Sequence, residues 1–175
     1  LLDHAVGRDS VVHGGILLID APGFQWKGAS GVLHPGSAMT LLPDDQFVAA
    51  SITKMITATT LMLLVEDGCL ALEMPVNRLV PVAVLKGLHT TESCSYEDQI
   101  TVRQLLNHTS GLADFFGDGR PSDHGFSPFL EMVVDEPERF WDPLETLTWT
   151  KRFLKPVGFP GQGWHYSDTG YVLLG

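Results

Sequence analysis

The chain has 175 residues, of which 44% are hydrophobic and 18% are charged, and its formal net charge is −10. This composition predicts a globular domain with one sizeable core and excludes an intrinsically disordered protein. Nucleic-acid binding is disfavoured because it needs clustered Lys and Arg to neutralise phosphates, and the 11 basic residues form no cluster.

The first 50 residues predict an antiparallel β-hairpin followed by a lead-in. Residues 14–20 and 24–31 have the composition of strands, and Ala21, Pro22 and Gly23 between them form a tight turn. Residues 43–46 are predicted to be a loop.

An apolar helix is predicted next, at residues 51–65, which read SITKMITATTLMLLV. Nearly every face is apolar or small, which is typical of a helix that is buried on all sides. Asp67 and Gly68 end this helix, with the glycine as its C-terminal cap. Residues 70–79 are predicted to form a short extended segment.

The rest of the chain predicts further helices around a long loop. An apolar stripe predicts a helix from about residue 101 to 108. Residues 113–128 are rich in Gly, Asp, Ser and Pro, and predict an exposed loop of the kind that lines clefts. Helices are also predicted at residues 129–136, 147–154 and 169–175.

The sequence indicates no metal, cofactor or membrane span. Cys69 and Cys94 lack C-x-x-C spacing, and the seven histidines show no H-x-x-x-H or H-E-x-x-H spacing. A single disulfide between the two cysteines stays open. The longest apolar run is far too short to cross a bilayer, and the residues do not specify a compartment.

Ser51 and Lys54 are the first candidates for catalytic residues. Their i, i+3 spacing places a hydroxyl and an amine on one face at the start of the apolar helix. The positive end of the helix dipole and apolar surroundings disfavour a cation, so we expect the pKa of Lys54 to fall. A partly neutral amine could then take the serine proton. The alternative is a surface lysine whose charged head extends into solvent, because S-x-x-K is common by chance.

Three ordered motifs resemble those of a known family. They are SITK at residues 51–54, LLNHTSGL at 105–112 and YSDTGYVLLG at 166–175. Together they resemble the serine β-lactamase and penicillin-recognising hydrolase family, in its branch of class C β-lactamases, D-alanyl-D-alanine carboxypeptidases and related esterases. This implies an α+β fold (an α/β sandwich), in which an antiparallel sheet is flanked by helices, with a mostly helical subdomain.

The resemblance covers essentially the whole chain as a single, incomplete domain. Residues 1–50 would supply the N-terminal hairpin and lead-in, and residues 51–175 the nucleophile helix and a mostly helical region. The family's late K-T-G or H-x-G motif does not occur after Tyr166. We therefore expect the N-terminal half of an enzyme, completed by a missing C-terminal half or a second chain, and weak or inactive by itself.

The resemblance also implies roles for individual residues. Ser51 would be the acylated nucleophile, Lys54 its partner in proton transfer, and Tyr166 a second base or the acid for the leaving group. The backbone N–H of Ser51, at a helix N-terminus, would form half of an oxyanion hole. His108 would fix the loop after its helix. The alternative for Tyr166 is a structural aromatic residue beside Trp164.

Asp168 departs from the family's Y-x-N pattern. It replaces an amide that donates and accepts with a carboxylate that, when ionised, only accepts. As a substrate-binding residue Asp168 would repel an acyl carbonyl, and it could instead hold Lys54 charged. This change favours esters or amine-bearing substrates over efficient β-lactam hydrolysis.

The implied function is that of a serine hydrolase acting through an acyl-enzyme. Its substrate would be a small molecule or peptide: an ester, a D-amino-acid amide or peptide, or a β-lactam. The family weakly favours a periplasmic or secreted location, and implies no cofactor. The alternative is a non-catalytic relative that keeps the fold as a binding or interaction module.

Overall fold

A computed structural model describes residues 2–6, 12–91 and 94–175. The chain divides into two compact units, Leu1–Ala50 and Ser51–Gly175. This boundary falls where the sequence predicts the lead-in to give way to the nucleophile helix. That the two units belong to one domain remains a prediction.

The first unit contains a short helix and the predicted hairpin. Helix α1 (Leu2–Ala5) is followed by strands β1 (Gly14–Ala21) and β2 (Phe24–Gly31), which pair antiparallel along their full length. The register leaves a two-residue turn at Pro22 and Gly23. Gly23 has a φ of 77°, which a glycine adopts without a steric penalty.

The second unit is helical. A 3-10 turn at Ala50–Ile52 leads into its first helix, and further 3-10 turns lie at Val76–Arg78 and Glu97–Gln99. Its helices are α2 (Thr53–Glu66), α3 (Val82–Leu85), α4 (Val102–Leu106), α5 (Pro128–Asp135), α6 (Pro143–Phe153) and α7 (Asp168–Leu174).

Side-chain caps start the last four helices of this unit. In each, an oxygen of the residue before the helix accepts a backbone N–H of the first turn, which would otherwise lack a partner. The four capping residues are Thr101, Ser127, Asp142 and Ser167. Helix α6 begins four residues before its predicted start because Asp142 caps it and Pro143 suits the first helical position.

The core of the second unit lies where α7 packs against α4 and α6. Gly170 of α7 faces α4 in this core, with the Leu105 side chain 3.5 Å from the position that a Cβ would take. The buried apolar side chains of this core are Val76, Leu85, Leu88, Ile100, Leu105, Leu112, Leu147 and Leu173.

The prediction that the nucleophile helix is buried on all sides is wrong for the described residues. Helix α2 contains no buried residue, and Met55, Ile56 and Met62 are 69%, 65% and 46% exposed. An apolar composition makes burial favourable, but another surface has to cover it. Among the described residues, α7 is the main element that packs against α2.

Two other predictions need correction. Residues 70–79 do not form an extended segment, because Val76–Arg78 is a 3-10 turn and, among the described residues, strand-like pairing of this segment is limited to one bridge between Pro75 and Thr101. Residues 113–128 do form a loop, up to the start of α5. Its first part is not exposed, since Ala113 and Asp114 are 3% and 6% exposed.

Candidate active site

Ser51 and Lys54 lie together at the start of α2. Ser51 is in the 3-10 turn before the helix, and Lys54 is the second residue of α2. Lys54 Nζ donates a hydrogen bond to Ser51 Oγ at 3.1 Å. The predicted shared face is therefore confirmed, although the α-helix begins two residues after Ser51.

The residue before Ser51 has an uncommon backbone conformation. Ala50 has a φ of 46°, in the left-handed region that residues with a Cβ seldom adopt. Among the described residues, His108 is the other non-glycine residue with positive φ, at 60°. Strained backbone of this kind clusters at functional sites.

Tyr166 joins this pair from a distant part of the sequence. Its Oη lies 2.6 Å from Ser51 Oγ, although the two residues are 115 positions apart. Lys54 Nζ is 4.9 Å from the centroid of the Tyr166 ring. The serine hydroxyl is therefore within hydrogen-bond reach of both an amine and a phenol.

Asp168 forms an ion pair with Lys54. The two side chains are 20% and 16% exposed, so water screens the pair only partly. Burial lowers the pKa of Lys54, but hydrogen bonds and charge from Asp168 and Tyr166 outweigh burial and raise it above its ordinary value. The expectation that this pKa falls is therefore wrong.

The assignment of Asp168 to substrate binding stays a prediction. The side-chain contact that the structure gives it is with Lys54, which was the other role expected for this carboxylate.

Ser167 fixes the segment that carries Tyr166 and Asp168. Its hydroxyl is buried, accepts the Gly170 N–H at 3.3 Å as the cap of α7, and donates to the Ala113 carbonyl at 3.1 Å. The neighbouring side chains are thereby tied to both α7 and the loop after α4.

A buried carboxylate in that loop supports the same segment. Asp114 Oδ1 accepts the backbone N–H of Asp168 at 3.0 Å, and the carboxylate also accepts N–H groups from Phe116 and Gly117. Burial, opposed in part by these hydrogen bonds, raises the pKa of Asp114. Sequence reasoning missed Asp114, because an Asp in a polar loop carries no signal of the contact.

His108 is a second residue whose place at the site the sequence did not predict. Its ring stacks on Tyr166, with centroids 4.5 Å apart and planes inclined by 28°. Its Nδ1 accepts the backbone N–H of Ser167 at 3.1 Å. Burial, together with the charge of Lys54, lowers the pKa of His108 and favours the neutral ring. Its position within the LLNHTSGL motif was the available signal.

Other kinds of site have less support in the described part of the chain. There, no group of three or more His, Cys, Asp or Glu side chains is arranged to hold a metal ion. None of the helices described is long and apolar enough to cross a membrane. Cys69 and Cys94 are both free and exposed, so the structure contains no disulfide between them.

A serine hydroxyl between an amine and a phenol, at the start of a helix, is an arrangement suited to a nucleophile. A family model described as Beta-lactamase matches residues 6–175. The chain belongs to the beta-lactamase family.

Relatives and solved structures agree with this assignment. Penicillin-binding protein 4 of Amycolatopsis lactamdurans is 32% identical over 172 residues, which are 98% of this chain and 39% of that protein. Esterase EstB of Burkholderia gladioli is 31% identical over 168 residues, 93% of this chain and 38% of the esterase. The structure of D-amino acid amidase from Ochrobactrum anthropi SV3 complexed with L-phenylalanine amide matches with a TM-score of 0.72 and 32% identity, over 99% of this chain and 41% of the amidase.

These matches confirm the predicted family and its fold. The chain spans about two fifths of the length of these relatives. That coverage agrees with the expectation that the chain corresponds to part of a β-lactamase-like fold.

Proposed function

We propose that Ser51 is the nucleophile of a serine hydrolase that works through an acyl-enzyme. The observation that carries this proposal is the position of Ser51 Oγ, 3.1 Å from Lys54 Nζ and 2.6 Å from Tyr166 Oη. A weak nucleophile needs a neighbouring group to take its proton as it attacks. Ser51 has two neighbours able to exchange protons within hydrogen-bond distance.

The acylation step assigns a role to each of these groups. Ser51 Oγ forms a bond to the substrate's carbonyl carbon while the Ser51 proton passes to the oxygen of Tyr166, which accepts it as a phenolate. Tyr166 then gives that proton to the departing alcohol or amine as the bond to the leaving group breaks. Water cleaves the resulting ester of Ser51, which releases the acid and restores the hydroxyl. The cation of Lys54 beside the phenol stabilises negative charge on Tyr166.

The substrate class proposed is esters and amides of small molecules or peptides, including those of D-amino acids. This class follows the names of the relatives, which include an esterase and a D-amino acid amidase. β-Lactams are the nearest alternative because other relatives are penicillin-binding proteins. Asp168 weighs against efficient β-lactam hydrolysis, since a carboxylate offers no hydrogen bond to an acyl carbonyl.

A second candidate is a non-catalytic binding or interaction module on the same fold. Asp168, in place of the Asn of the family pattern, supports it, because an ion pair with Lys54 removes the most basic group near Ser51. This candidate predicts that Ser51 is not acylated even when the protein is folded.

Intact-mass spectrometry after incubation with an activated aryl ester, and separately with a penicillin, tests the nucleophile. On the protein completed by the predicted missing half, we expect one acyl group per chain on the wild type, located by peptide mapping to Ser51, and none on Ser51→Ala. Ser122→Ala, which removes a hydroxyl from a loop, is the matched control and should be labelled like the wild type. Equal labelling of Ser51→Ala, or no labelling of folded wild type by either reagent, would contradict the proposal.

A further inference from the structure

We infer that Asp168 is a fixed counter-ion that keeps Lys54 in its ammonium form and thereby removes Lys54 as the base for Ser51. The inference rests on the proposed function, and concerns a position where this chain differs from the family's Y-x-N pattern. Asp168 is a positioning residue in this scheme, because it acts on Ser51 through Lys54.

The backbone of Asp168 is held independently of Lys54. Asp168 is the first residue of α7, directly after the buried capping residue Ser167. Its backbone N–H donates to Asp114 Oδ1 at 3.0 Å. A carboxylate in the first turn is also favoured by the helix dipole. The backbone that carries this negative charge is therefore fixed by α7 and the loop after α4, and Lys54 reaches the carboxylate from α2.

The other ionisable groups around this pair do not replace Asp168 as the partner of Lys54. His108 is neutral, because its Nδ1 accepts the Ser167 N–H. Tyr171, whose ring centroid is 5.5 Å from Lys54 Nζ, donates its hydroxyl proton to the Leu106 carbonyl at 3.0 Å.

The remaining two groups are Tyr166 and Asp114. Tyr166 shares a hydrogen bond with Ser51. Asp114 directs its carboxylate to three backbone N–H groups. Among the described residues, Asp168 is thus the carboxylate that the structure pairs with Lys54.

An ammonium group at Lys54 changes how the Ser51 proton can move. It donates to Ser51 Oγ and to Asp168, and has no lone pair with which to accept a proton. The acceptor left within hydrogen-bond distance of Ser51 Oγ is Tyr166 Oη, at 2.6 Å. Lys54 keeps its own protons throughout the step and contributes charge. An Asn at position 168 would not hold that charge.

Asp168→Asn distinguishes a required ammonium group at Lys54 from a neutral amine base at Lys54, because the two cases predict different changes in how acylation depends on pH. If the ammonium form is needed, acylation of Ser51 is lost as Lys54 deprotonates at high pH, and the variant loses activity at a lower pH than the wild type. If neutral Lys54 is the base, the variant becomes active at a lower pH and reacts faster near neutrality. The measurement is the rate of acylation by the activated ester from neutral to alkaline pH. The second result would overturn the inference.

Two further variants control this experiment. Asp168→Glu keeps the negative charge, so its acylation should be lost at the same high pH as in the wild type, which is called the alkaline limit. Asp135→Asn removes an exposed carboxylate at the end of α5, and should also leave that limit unchanged. An equal shift in Asp135→Asn would assign the effect to net charge, and would contradict a specific role for Asp168.

An NMR titration tests the inference without any need for activity. With ¹³Cε-labelled lysine, the Lys54 signal, assigned by its loss in Lys54→Met, should report an ammonium group over a wider pH range in wild type than in Asp168→Asn. Coincident titrations would overturn the inference even where Ser51 is acylated. If Ser51 proves inert while the titrations differ, the proposed function fails and the counter-ion role stands.

Discussion

His108 joins the second sequence motif to the third through one side chain. Its ring stacks on Tyr166, its Nδ1 accepts the Ser167 N–H, and its own backbone has positive φ. Asn tolerates this backbone region and can offer an oxygen to Ser167, but it has no ring. His108→Asn therefore removes the stack while the backbone conformation is kept.

We expect His108→Asn to slow acylation of Ser51 by up to about tenfold, because aromatic stacking is worth roughly 0.5–1.5 kcal/mol. The check is the maximal acylation rate at saturating ester, measured beside the free energy of unfolding. His108→Phe is the complementary variant, since it keeps a ring but loses the acceptor. A purely structural role would lower the free energy of unfolding of His108→Asn and leave the maximal rate of the folded fraction unchanged.

At the scale of elements, the cap of α7 also orients the site. Ser167→Ala removes a buried hydroxyl that caps the helix and donates to the Ala113 carbonyl. We expect the free energy of unfolding to fall by about 2 kcal/mol, from the lost cap and the unpaired carbonyl. Urea unfolding measures this loss. Acylation of Ser51 should slow as well, because Tyr166 and Asp168 flank the cap.

Ser127→Ala is the matched control for that prediction. Ser127 is likewise a buried serine that caps a helix, here α5, and its hydroxyl donates to the Phe116 carbonyl in the preceding loop. Its loss should destabilise the protein by a similar amount and leave the acylation rate of the folded protein unchanged. If both variants slow acylation equally, the effect comes from general loosening of the fold.

The same elements show which features local sequence could predict. The hairpin and the last helices were predicted within a few residues, because turns, caps and apolar stripes act between near neighbours. The exposure of α2 was not predicted, because the burial of a helix depends on whether another part of the structure covers its surface. The motifs gave Ser51, Lys54 and Tyr166. The buried Asp114 and the stack of His108 on Tyr166 were missed, because they depend on contacts between distant segments.

For the whole molecule, net charge and the ionisable groups of the site both lower the free energy of unfolding at high pH. The formal net charge is already −10 near neutrality, and self-repulsion grows as lysines and tyrosines lose protons. The pKa of Lys54 is raised, chiefly because Asp168 and Tyr166 outweigh the opposing effect of burial. Burial raises the pKa of Tyr171. For both groups the folded state binds protons more tightly than the unfolded chain.

The stability that these two groups contribute is therefore full below about pH 10 and lost as the pH rises through their folded-state pKa values. We expect the free energy of unfolding, measured with urea, to fall above about pH 10. High salt separates the causes, since it screens long-range repulsion between surface charges but weakens a partly buried pair much less. The loss should persist in high salt for the wild type and be smaller in Lys54→Met. A loss that salt abolishes, and that Lys54→Met shares in full, would assign the whole effect to net charge.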